Sequence, residues 1–279
     1  MNSYAYYNGQ FGKREEISVP LSDRSIFFGD AIYDAAIGSY DRILWEEEHI
    51  NRFLCNADRI GIKHSFTKNY LSQLLREIAV RSMLDSYFIY FQMSRSHPTR
   101  NHSAIGCNAN LLVTVEPMEI RKEYEPLKLI TVDDHRYEYC DIKTINLLPS
   151  VLSMTQAENQ NCDEAVFVKN GIITECSKSN ISIIKEGRLI THPKTNRILP
   201  GIARAHLLKQ CSAIDVQVVE REFDISELIE ADEVLISSTT KLCKKANSIN
   251  GISIAGKNQY VADKLCDKMY DEYINFCKI

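Results

Sequence analysis

The sequence lacks the features that mark several large classes of protein. Its 279 residues include one tryptophan, seven prolines and eleven glycines, without internal repeats or low-complexity tracts. No apolar run approaches the roughly 18 residues that a transmembrane helix needs. The amino-terminal residues lack the basic stretch and apolar core of a signal peptide. We therefore expect a cytoplasmic protein that does not act at a membrane.

Cysteine is present, but without the spacing that signals a structural role. The nine cysteines are scattered, odd in number and never arranged as C-x-x-C. This distribution argues against a disulfide framework or a structural zinc site, so we expect a reduced protein without a metal. The formal net charge of −4 gives no general field for attracting nucleic acid or anionic lipid. Recognition of small anions would fall to individual arginines.

Strand-like and helical patterns alternate in a way that predicts an α+β and α/β arrangement in two lobes. The polar, proline-bracketed segment 117–126 is the best linker candidate. It separates a domain at 1–116 from one at 127–279, both of ordinary size. Hydrophobic periodicity and turn residues predict the main elements. These are a hairpin over 4–7 and 10–19, helices over 46–60, 68–83, 203–213 and 259–277, and strands over 86–93, 110–115, 127–132, 165–168, 172–175, 180–184, 188–192 and 233–237.

One lysine, Lys143, lies in an otherwise apolar and small-polar run, just before a helix-like segment at 151–158. Lysine is rarely buried without a reason. A Schiff-base enzyme needs such an amine, because a partly desolvated lysine presents its nucleophilic form. Taken alone, Lys143 is more typical of an edge strand or an exposed turn, so its meaning depends on the rest of the chain.

Two other regions supply an acid and a phosphate site. Glu175 ends a strand-like run and enters a turn rich in hydroxyl groups. Gly201 introduces a predicted helix, whose first backbone amides form a natural phosphate site. Ser238 and Thr239 add hydroxyl groups at a strand end. An amine, an acid and a phosphate cradle are what pyridoxal 5'-phosphate requires.

These regions resemble the fold-type IV (class IV) pyridoxal-phosphate aminotransferases, most closely the bacterial D-amino acid aminotransferases. The blocks Asp23–Tyr33, Glu48–Phe53 and Ile89–Gln92 extend the resemblance nearly end to end. The resemblance implies a two-domain fold, with a smaller N-terminal α+β lobe, a larger C-terminal lobe and the cofactor between them.

The resemblance also implies roles for single residues. Lys143 matches the lysine that carries the cofactor and shuttles the proton between Cα and the cofactor's C4′. Glu175 matches the acid paired with the pyridine nitrogen. On its own, Arg52 would be an exposed helix arginine, but it matches the phosphate-binding arginine. The implied phosphate cradle consists of Arg52, Gly201, Ile202, Ala203, Ser238 and Thr239.

Substrate selection is implied to rest on Tyr33, Arg100 and His102. D-specific relatives carry an Arg-x-His pair and a tyrosine that trap the substrate α-carboxylate, and Arg100-Asn101-His102 matches that pair. A guanidinium binds a carboxylate in a bidentate fork, and imidazole and phenol add donors. In the family this loop reaches the neighbouring active site, so a homodimer is implied. Without the resemblance, Arg100 and His102 are also typical of a solvated loop, and Tyr33 of a core tyrosine.

The resulting prediction is a D-amino acid aminotransferase that transfers the amino group of D-alanine or a similar D-amino acid to 2-oxoglutarate, giving D-glutamate and a 2-oxo acid. Three alternatives stay open. Two belong to the same family, a 4-amino-4-deoxychorismate lyase and a branched-chain L-amino acid aminotransferase. The third, from a different class, is a non-catalytic protein that binds pyridoxal phosphate.

Four positions depart from the pattern of the closest relatives. Ala203 stands where threonine is usual, and the missing hydroxyl would weaken cofactor binding by about 1.5–3 kcal/mol. Lys178 and Lys241 each stand where a serine is expected, and Cys176 replaces a glycine. If either lysine points inward, it is placed to bind phosphate or a substrate carboxylate.

Overall fold

The computed structural model describes residues 3–122, 125–254 and 256–278. The chain divides into two compact units. The first comprises the chain up to Ile120 together with Ile142–Asn146, and the second comprises the remainder. Glu123 and Tyr124 of the predicted linker 117–126 lie outside the described residues, and the linker itself stays a prediction.

The first unit is built on a six-stranded antiparallel sheet in the order β2-β1-β6-β5-β3-β4. Helices α2 and α3 pack against it, the second over β1 and β6. The elements are β1 (Tyr4–Tyr7), β2 (Gln10–Lys13), α1 (Arg24–Phe28), β3 (Ala31–Ser39), β4 (Arg42–Ile43), α2 (Glu46–Arg59), α3 (Lys68–Ser82), β5 (Ser86–Ser96) and β6 (Asn108–Pro117).

Local sequence explains why the helices of this unit begin and end where they do. The hydroxyl of Thr67 accepts a hydrogen bond from the amide of Tyr70, which caps the start of α3. Met83 adopts a left-handed conformation that ends α3. The apolar stripes of α2 and α3 then meet the sheet in one core, where the Phe53 and Phe91 rings pack edge to face with centroids 4.8 Å apart.

The second unit contains a nine-stranded mixed sheet. Eight strands follow the order β12-β11-β10-β13-β14-β7-β8-β9, and β15 pairs with β14. The elements are β7 (Leu127–Asp133), α4 (Leu148–Asn159), β8 (Glu164–Lys169), β9 (Ile172–Cys176), β10 (Asn180–Lys185), β11 (Arg188–Thr191), α5 (Ile202–Ser212), β12 (Val218–Glu220), α6 (Ile225–Glu230), β13 (Glu233–Ser238), β14 (Leu242–Ile249), β15 (Ile252–Ser253) and α7 (Gln259–Cys277).

Helices pack against this sheet at different strands. Helix α4 packs on β7 and β8, whereas α5 and α7 pack on β13 and β14 and on each other. Neighbouring strands β14, β7 and β8 run parallel and are joined by longer connections, as parallel strands require. The helix and strand content confirms the predicted α+β two-lobe fold class. Among the described residues, no helix combines the length and apolar character needed to cross a membrane.

The structure differs from the predicted elements at the amino-terminal hairpin. The second strand was expected to run over 10–19 but ends at Lys13, where a short 3-10 helix (Arg14–Glu16) begins. The side chain of Glu16 accepts a hydrogen bond from the amide of Lys13 at 2.9 Å. This local bond turns the chain away from the sheet and therefore ends the strand.

Candidate active site

Lys143 lies in the first unit, because its backbone is paired to β3. The amide of Tyr33 donates to the carbonyl of Lys143 at 2.9 Å, and the amide of Ile145 donates to the carbonyl of Ala31 at 3.3 Å. The half-buried Lys143 amine lies 4.3 Å from the centroid of the Tyr33 ring. A lysine held against an aromatic face has its amine positioned rather than freely solvated.

A buried carboxylate, Asp34, fixes the arginine that the sequence predicts for phosphate binding. Arg52 donates through Nε to Oδ2 of Asp34 and through Nη2 to Oδ1, both at 2.8 Å. His49 contacts the same carboxylate through Nδ1 at 2.7 Å. This bidentate pairing holds the plane of the Arg52 guanidinium in one orientation before any anion arrives.

Charge and burial act in opposite directions on the pKa of Asp34. Burial would raise the pKa of Asp34, but the charge of Arg52 and the hydrogen bonds from Arg52 and His49 hold it well below its usual value. Burial also lowers the pKa of His49, partly offset by Asp34, and the positive charges of Arg52 and Lys143 lower it further. His49 is therefore neutral near pH 7 and donates from Nδ1 to the ionised Asp34. We name Tyr33, Asp34, His49, Arg52 and Lys143 the lysine cluster.

The residues predicted to trap the substrate carboxylate occupy two places in the first unit. Arg100 and His102 are exposed and flank Phe28, with its ring centroid 4.9 Å from the Arg100 guanidinium and 5.0 Å from the His102 ring. The buried Arg24 donates to the carbonyls of Asn101, His102 and Ser103. Their loop is thus braced from beneath while both side chains stay accessible.

Tyr33, the third member of the predicted trap, lies instead against Lys143 and Tyr90. The Tyr33 and Tyr90 rings stack at 5.2 Å between centroids. Burial, followed by the proximity of Tyr33, raises the pKa of Tyr90. The Tyr33 ring therefore contacts both the Lys143 amine and the Tyr90 ring.

In the second unit, Glu175 is a buried carboxylate surrounded by donors. Its Oε1 accepts from the Arg136 guanidinium, and its Oε2 accepts from the Asn180 amide and the backbone amide of Leu199, each at 3.0 Å. Every one of these partners donates, so the arrangement suits the ionised carboxylate. An ionised carboxylate is the group that holds a pyridine nitrogen protonated.

Arg136 is shared between Glu175 and Asp134. Arg136 donates to both carboxyl oxygens of Asp134, and its Nη2 also reaches the carbonyl of Arg197 at 3.1 Å. Burial would lower the pKa of Arg136, but the hydrogen bond to Asp134 and the charges of Glu175 and Asp134 raise it. Burial alone would raise the pKa of Asp134, but the hydrogen bonds and the charge of Arg136 hold it below its usual value. The Arg136 cation therefore lowers the pKa of Asp134 and also donates to Glu175.

Gly201 lies where the chain has no room for a side chain. A Cβ atom at this position would lie 2.0 Å from Oδ1 of Asn180, the residue that also donates to Glu175. Gly201 is the N-cap of α5, so the backbone amides of Ile202 and Ala203 belong to the first turn, which lacks intrahelical acceptors. We name Asp134, Arg136, Glu175, Asn180 and Gly201 the glutamate cluster.

Ser238 and Thr239 lie next to the glutamate cluster in the sheet. Asn180 pairs with Ser237 across β10 and β13, and the chain turns at Thr239 and Thr240 before β14 begins. The hydroxyl of Ser238 accepts a hydrogen bond from the amide of Lys241 at 3.2 Å.

Two positions that depart from the family pattern are buried. The Ala203 methyl group is buried, and burial raises the pKa of the Cys176 thiol well above its usual value.

The second unit also settles where the two unexpected lysines lie. Lys178 is exposed, whereas the amine of Lys241 lies 3.4 Å from the buried carboxylate of Glu164.

Within the first unit the structure brings together Lys143, Tyr33 and Arg52. Within the second it brings together the remaining predicted cofactor residues, Glu175, Gly201, Ile202, Ala203, Ser238 and Thr239.

Several residues of these clusters were not predicted from the sequence. Asp134 and Arg136 form a charged run just after β7, and Asn180 begins β10 directly after the hydroxyl-rich turn. Asp34 is a single acid inside an apolar strand, which is unusual enough to mark a partnered position. His49 lies one turn before Arg52 on α2, so the two share a helix face.

The donors and acceptors of each cluster suit part of pyridoxal phosphate. The lysine cluster offers an amine and a fixed guanidinium. The glutamate cluster offers a carboxylate surrounded by donors and a helix N-terminus whose N-cap position has room only for glycine. Those four groups match the carbonyl, phosphate and ring nitrogen of the cofactor.

Comparison with known proteins gives the same answer as the chemistry. The family described as amino-transferase class IV matches residues 32–249. A D-alanine aminotransferase from Listeria monocytogenes serotype 4b is 32% identical over 277 residues, covering 97% of this chain and 96% of that protein.

Two solved structures share the fold at lower identity. One is a branched-chain aminotransferase from Thermoproteus uzoniensis, with a TM-score of 0.88 and 20% identity, covering 98% of this chain and 96% of that chain. The other is a putative 4-amino-4-deoxychorismate lyase from Legionella pneumophila, with a TM-score of 0.83 and 22% identity, covering 92% of this chain and 96% of that chain. At these identities the likeness shows the fold alone.

The chain belongs to the class IV aminotransferases. It is accordingly a pyridoxal-phosphate-dependent aminotransferase of fold type IV, as the sequence motifs predict.

Proposed function

We propose that the protein is a D-amino acid aminotransferase that moves the amino group of D-alanine, or a similar D-amino acid, to 2-oxoglutarate. The observation that carries the proposal is the 32% identity to a D-alanine aminotransferase over 97% of this chain. The braced loop that presents Arg100 and His102 supports it, because an α-carboxylate needs exposed cationic and imidazole donors in fixed positions.

Residues of the two clusters and of the predicted phosphate cradle have distinct chemical tasks in this proposal. Lys143 carries the cofactor through its amine and moves the proton at the substrate Cα. Glu175 holds a positive charge at the pyridine nitrogen, and Arg136 keeps Glu175 ionised. Arg52 and the first turn of α5 hold the phosphate, together with Ser238 and Thr239. When bound, pyridoxal phosphate supplies the electron sink that makes removal of the Cα proton feasible.

The carboxylate trap sets the stereochemistry in this proposal. Arg100, His102 and Tyr33 fix one substituent of Cα, so they determine which face of the substrate presents its Cα–H to Lys143. Arg100 and His102 act in the neighbouring subunit of a homodimer. The reduced cytoplasm is the proposed location, and all nine cysteines are free.

A substrate panel tests the proposed reaction. We expect turnover of D-alanine with 2-oxoglutarate, measured by chiral analysis of the glutamate formed, and little with L-leucine or 4-amino-4-deoxychorismate. Arg100→Ala should raise the KM for D-alanine about 10- to 100-fold, because a charge-assisted hydrogen bond is lost. Arg14→Ala, which removes another exposed arginine of the first unit, is the matched control. Preferred turnover of L-leucine or of aminodeoxychorismate would refute the proposal.

Mixing variants tests the proposed homodimer and the action of the loop in trans. At D-alanine concentrations below the wild-type KM, Lys143→Ala and Arg100→Ala subunits should each be nearly inactive alone. Random reassociation should restore about a quarter of the wild-type activity, because half of the dimers would be mixed and each mixed dimer would hold one complete site. No recovery, in a preparation whose subunits demonstrably exchange, would place the loop in its own subunit's site.

A further inference from the structure

Glu164 is a buried acid for which the proposed reaction has no use. It begins β8, its residue surface is fully shielded from solvent, and it lies in the second unit. Its Oε1 accepts from the hydroxyl of Ser177, and its Oε2 accepts from the hydroxyl of Ser179 at 3.0 Å. The amine of Lys241 donates to the same Oε2 at 3.4 Å. Of these three donors, only Lys241 carries a positive charge.

The three donors come from two turns that both carry cofactor residues. Ser177 and Ser179 lie in the turn between β9, which contains Glu175, and β10, which begins with Asn180. Lys241 ends the turn that leaves β13 through Ser238 and Thr239, and its backbone amide donates to the Ser238 hydroxyl. One carboxylate therefore connects the turn beside the ring-nitrogen acid to the turn of the phosphate cradle.

This connection depends on a lysine at a position where the family resemblance leads us to expect a serine. A serine at position 241 is too short to reach Glu164 from the same backbone position and carries no charge. A buried carboxylate that loses its cationic partner is strongly unfavourable, so the turn is expected to move or to admit water if Lys241 is removed. Ala203 already lacks one cradle hydroxyl, which makes the position of the remaining hydroxyls more important.

We propose that Glu164 and Lys241 are positioning residues for the cofactor phosphate. The ion pair holds the Ser238–Lys241 turn so that Ser238 and Thr239 face the phosphate, and it acts through those residues rather than by touching the phosphate. The inference rests on the proposed assignment of Ser238 and Thr239 to the phosphate cradle.

The test compares ligands with and without a phosphate. The full-length chain is freed of cofactor and titrated with pyridoxamine 5'-phosphate and with pyridoxamine, following protein fluorescence. Lys241→Met should raise the Kd of pyridoxamine 5'-phosphate about tenfold or more, yet leave the Kd of pyridoxamine within about twofold. A general loss of structure would weaken both ligands alike. Lys178→Met, which removes an exposed lysine next to the same two serines, should change neither constant.

Further variants guard the result against misfolding. Lys241→Ser introduces the residue that the family resemblance leads us to expect at this position, and it should show the same selective loss if Lys241→Met does not fold. Glu164→Gln should weaken pyridoxamine 5'-phosphate in the same direction. The double variant should lose less than the product of the two single effects, because both remove one interaction.

Two outcomes separate failure of the inference from failure of the proposed site. If Thr239→Ala weakens pyridoxamine 5'-phosphate while Lys241→Met and Lys241→Ser do not, the positioning role is refuted and the cradle stands. If Thr239→Ala leaves that Kd unchanged, the cradle assignment is refuted and the inference with it. Equal weakening of both ligands by Lys241→Ser would also overturn the inference.

Discussion

Each unit pairs a buried carboxylate with an arginine, but the proposed cofactor contact falls to opposite members of the two pairs. In the lysine cluster, Asp34 orients Arg52, and the arginine is the member expected to meet the cofactor phosphate. In the glutamate cluster, Arg136 orients Glu175, and the carboxylate is the member expected to meet the ring nitrogen. The same buried pair thus prepares an anion site in one unit and a cation site in the other.

The two pairs differ in the contacts that hold the orienting residue, which is Asp34 in the lysine cluster and Arg136 in the glutamate cluster. Asp34 is completely buried and is contacted by His49 as well as Arg52. Arg136 is shared by two acids, Asp134 and Glu175. In both cases one partner fixes the orientation of the residue that we propose for cofactor binding.

Removing the amine should have the largest effect, since Lys143 is the proposed nucleophile and proton carrier. Lys143→Ala should lower kcat for transamination at least about 10⁴-fold, because the nucleophile and the proton carrier are lost together. Steady-state kinetics with saturating cofactor measure this. Lys63→Ala removes an exposed lysine of the same unit and should keep normal turnover. Near-normal activity of Lys143→Ala would remove the basis for the site.

Removing each arginine compares the two pairs through stability. Arg136→Met should lower the free energy of unfolding by about 3–5 kcal/mol, because two buried acids lose their cation. Arg52→Met should also lower the free energy of unfolding, by an amount at the low end of about 3–5 kcal/mol, because Asp34 keeps its contact with His49. Urea denaturation of both variants measures the difference. A larger loss for Arg52→Met would reverse the ranking.

Neutralising each acid compares the pairs through activity. Glu175→Gln should lower kcat about 100-fold, because an amide does not hold the ring nitrogen protonated. Asp34→Asn should leave kcat with saturating cofactor within about threefold and instead weaken retention of pyridoxamine 5'-phosphate, because Arg52 loses its orientation. Kinetics and cofactor titration on both variants separate the roles. Equal kcat losses would show that the pairs do not divide the work in this way.

The smallest expected effect is a pH dependence confined to the pair that contains a histidine. The pKa of His49 is below its usual 6.5 in the folded chain. At a pH between the lowered pKa of the folded chain and 6.5, the unfolded chain binds a proton at His49 that the folded chain does not. The free energy of unfolding therefore falls as pH falls through this window. The slope from His49 is at most about 1.4 kcal/mol per pH unit.

Urea unfolding at about pH 7.5 and about pH 5.5 measures this dependence. The pKa of His192 in the second unit is also lowered by burial, so the wild-type slope contains both histidines. His49→Asn keeps an N–H donor for Asp34 and should flatten the curve by the share of His49. An unchanged slope in that variant would mean that His49 does not titrate in this range.

Much of the fold was predictable where the signal is local. Helix α7 spans Gln259–Cys277, as its apolar spacing predicts, and α3 starts where a capping threonine directs it. Two central strands were not predicted, β3 and β14. Strand β3 is buried on both faces and shows no alternation, while β14 carries two lysines, so neither has the usual pattern of a strand. Their identity follows from pairing with distant strands.

The candidate site divides in the same way. Lys143 and Glu175 lie in recognisable sequence blocks, so the sequence suggested both, and their roles remain predictions. The partners that orient them do not follow from local sequence. Arg136 and Glu175 are 39 residues apart, and Lys241 and Glu164 are 77 residues apart. Such contacts depend on the register and curvature of the completed sheet, which periodicity does not encode.

The pairing of Lys143 with β3 has a consequence for how the chain folds. Ile142–Asn146 belongs to the first unit, although the chain before and after it belongs to the second. A ribosome must therefore synthesise the chain past Asn146 before Ala31 and Tyr33 find their backbone partners and Ile142 enters the core. Contacts between residues so far apart in sequence form slowly, so completion of the first unit is delayed. A fragment ending at Ile120 would keep all its strands and still lack the lysine and the segment that carries it.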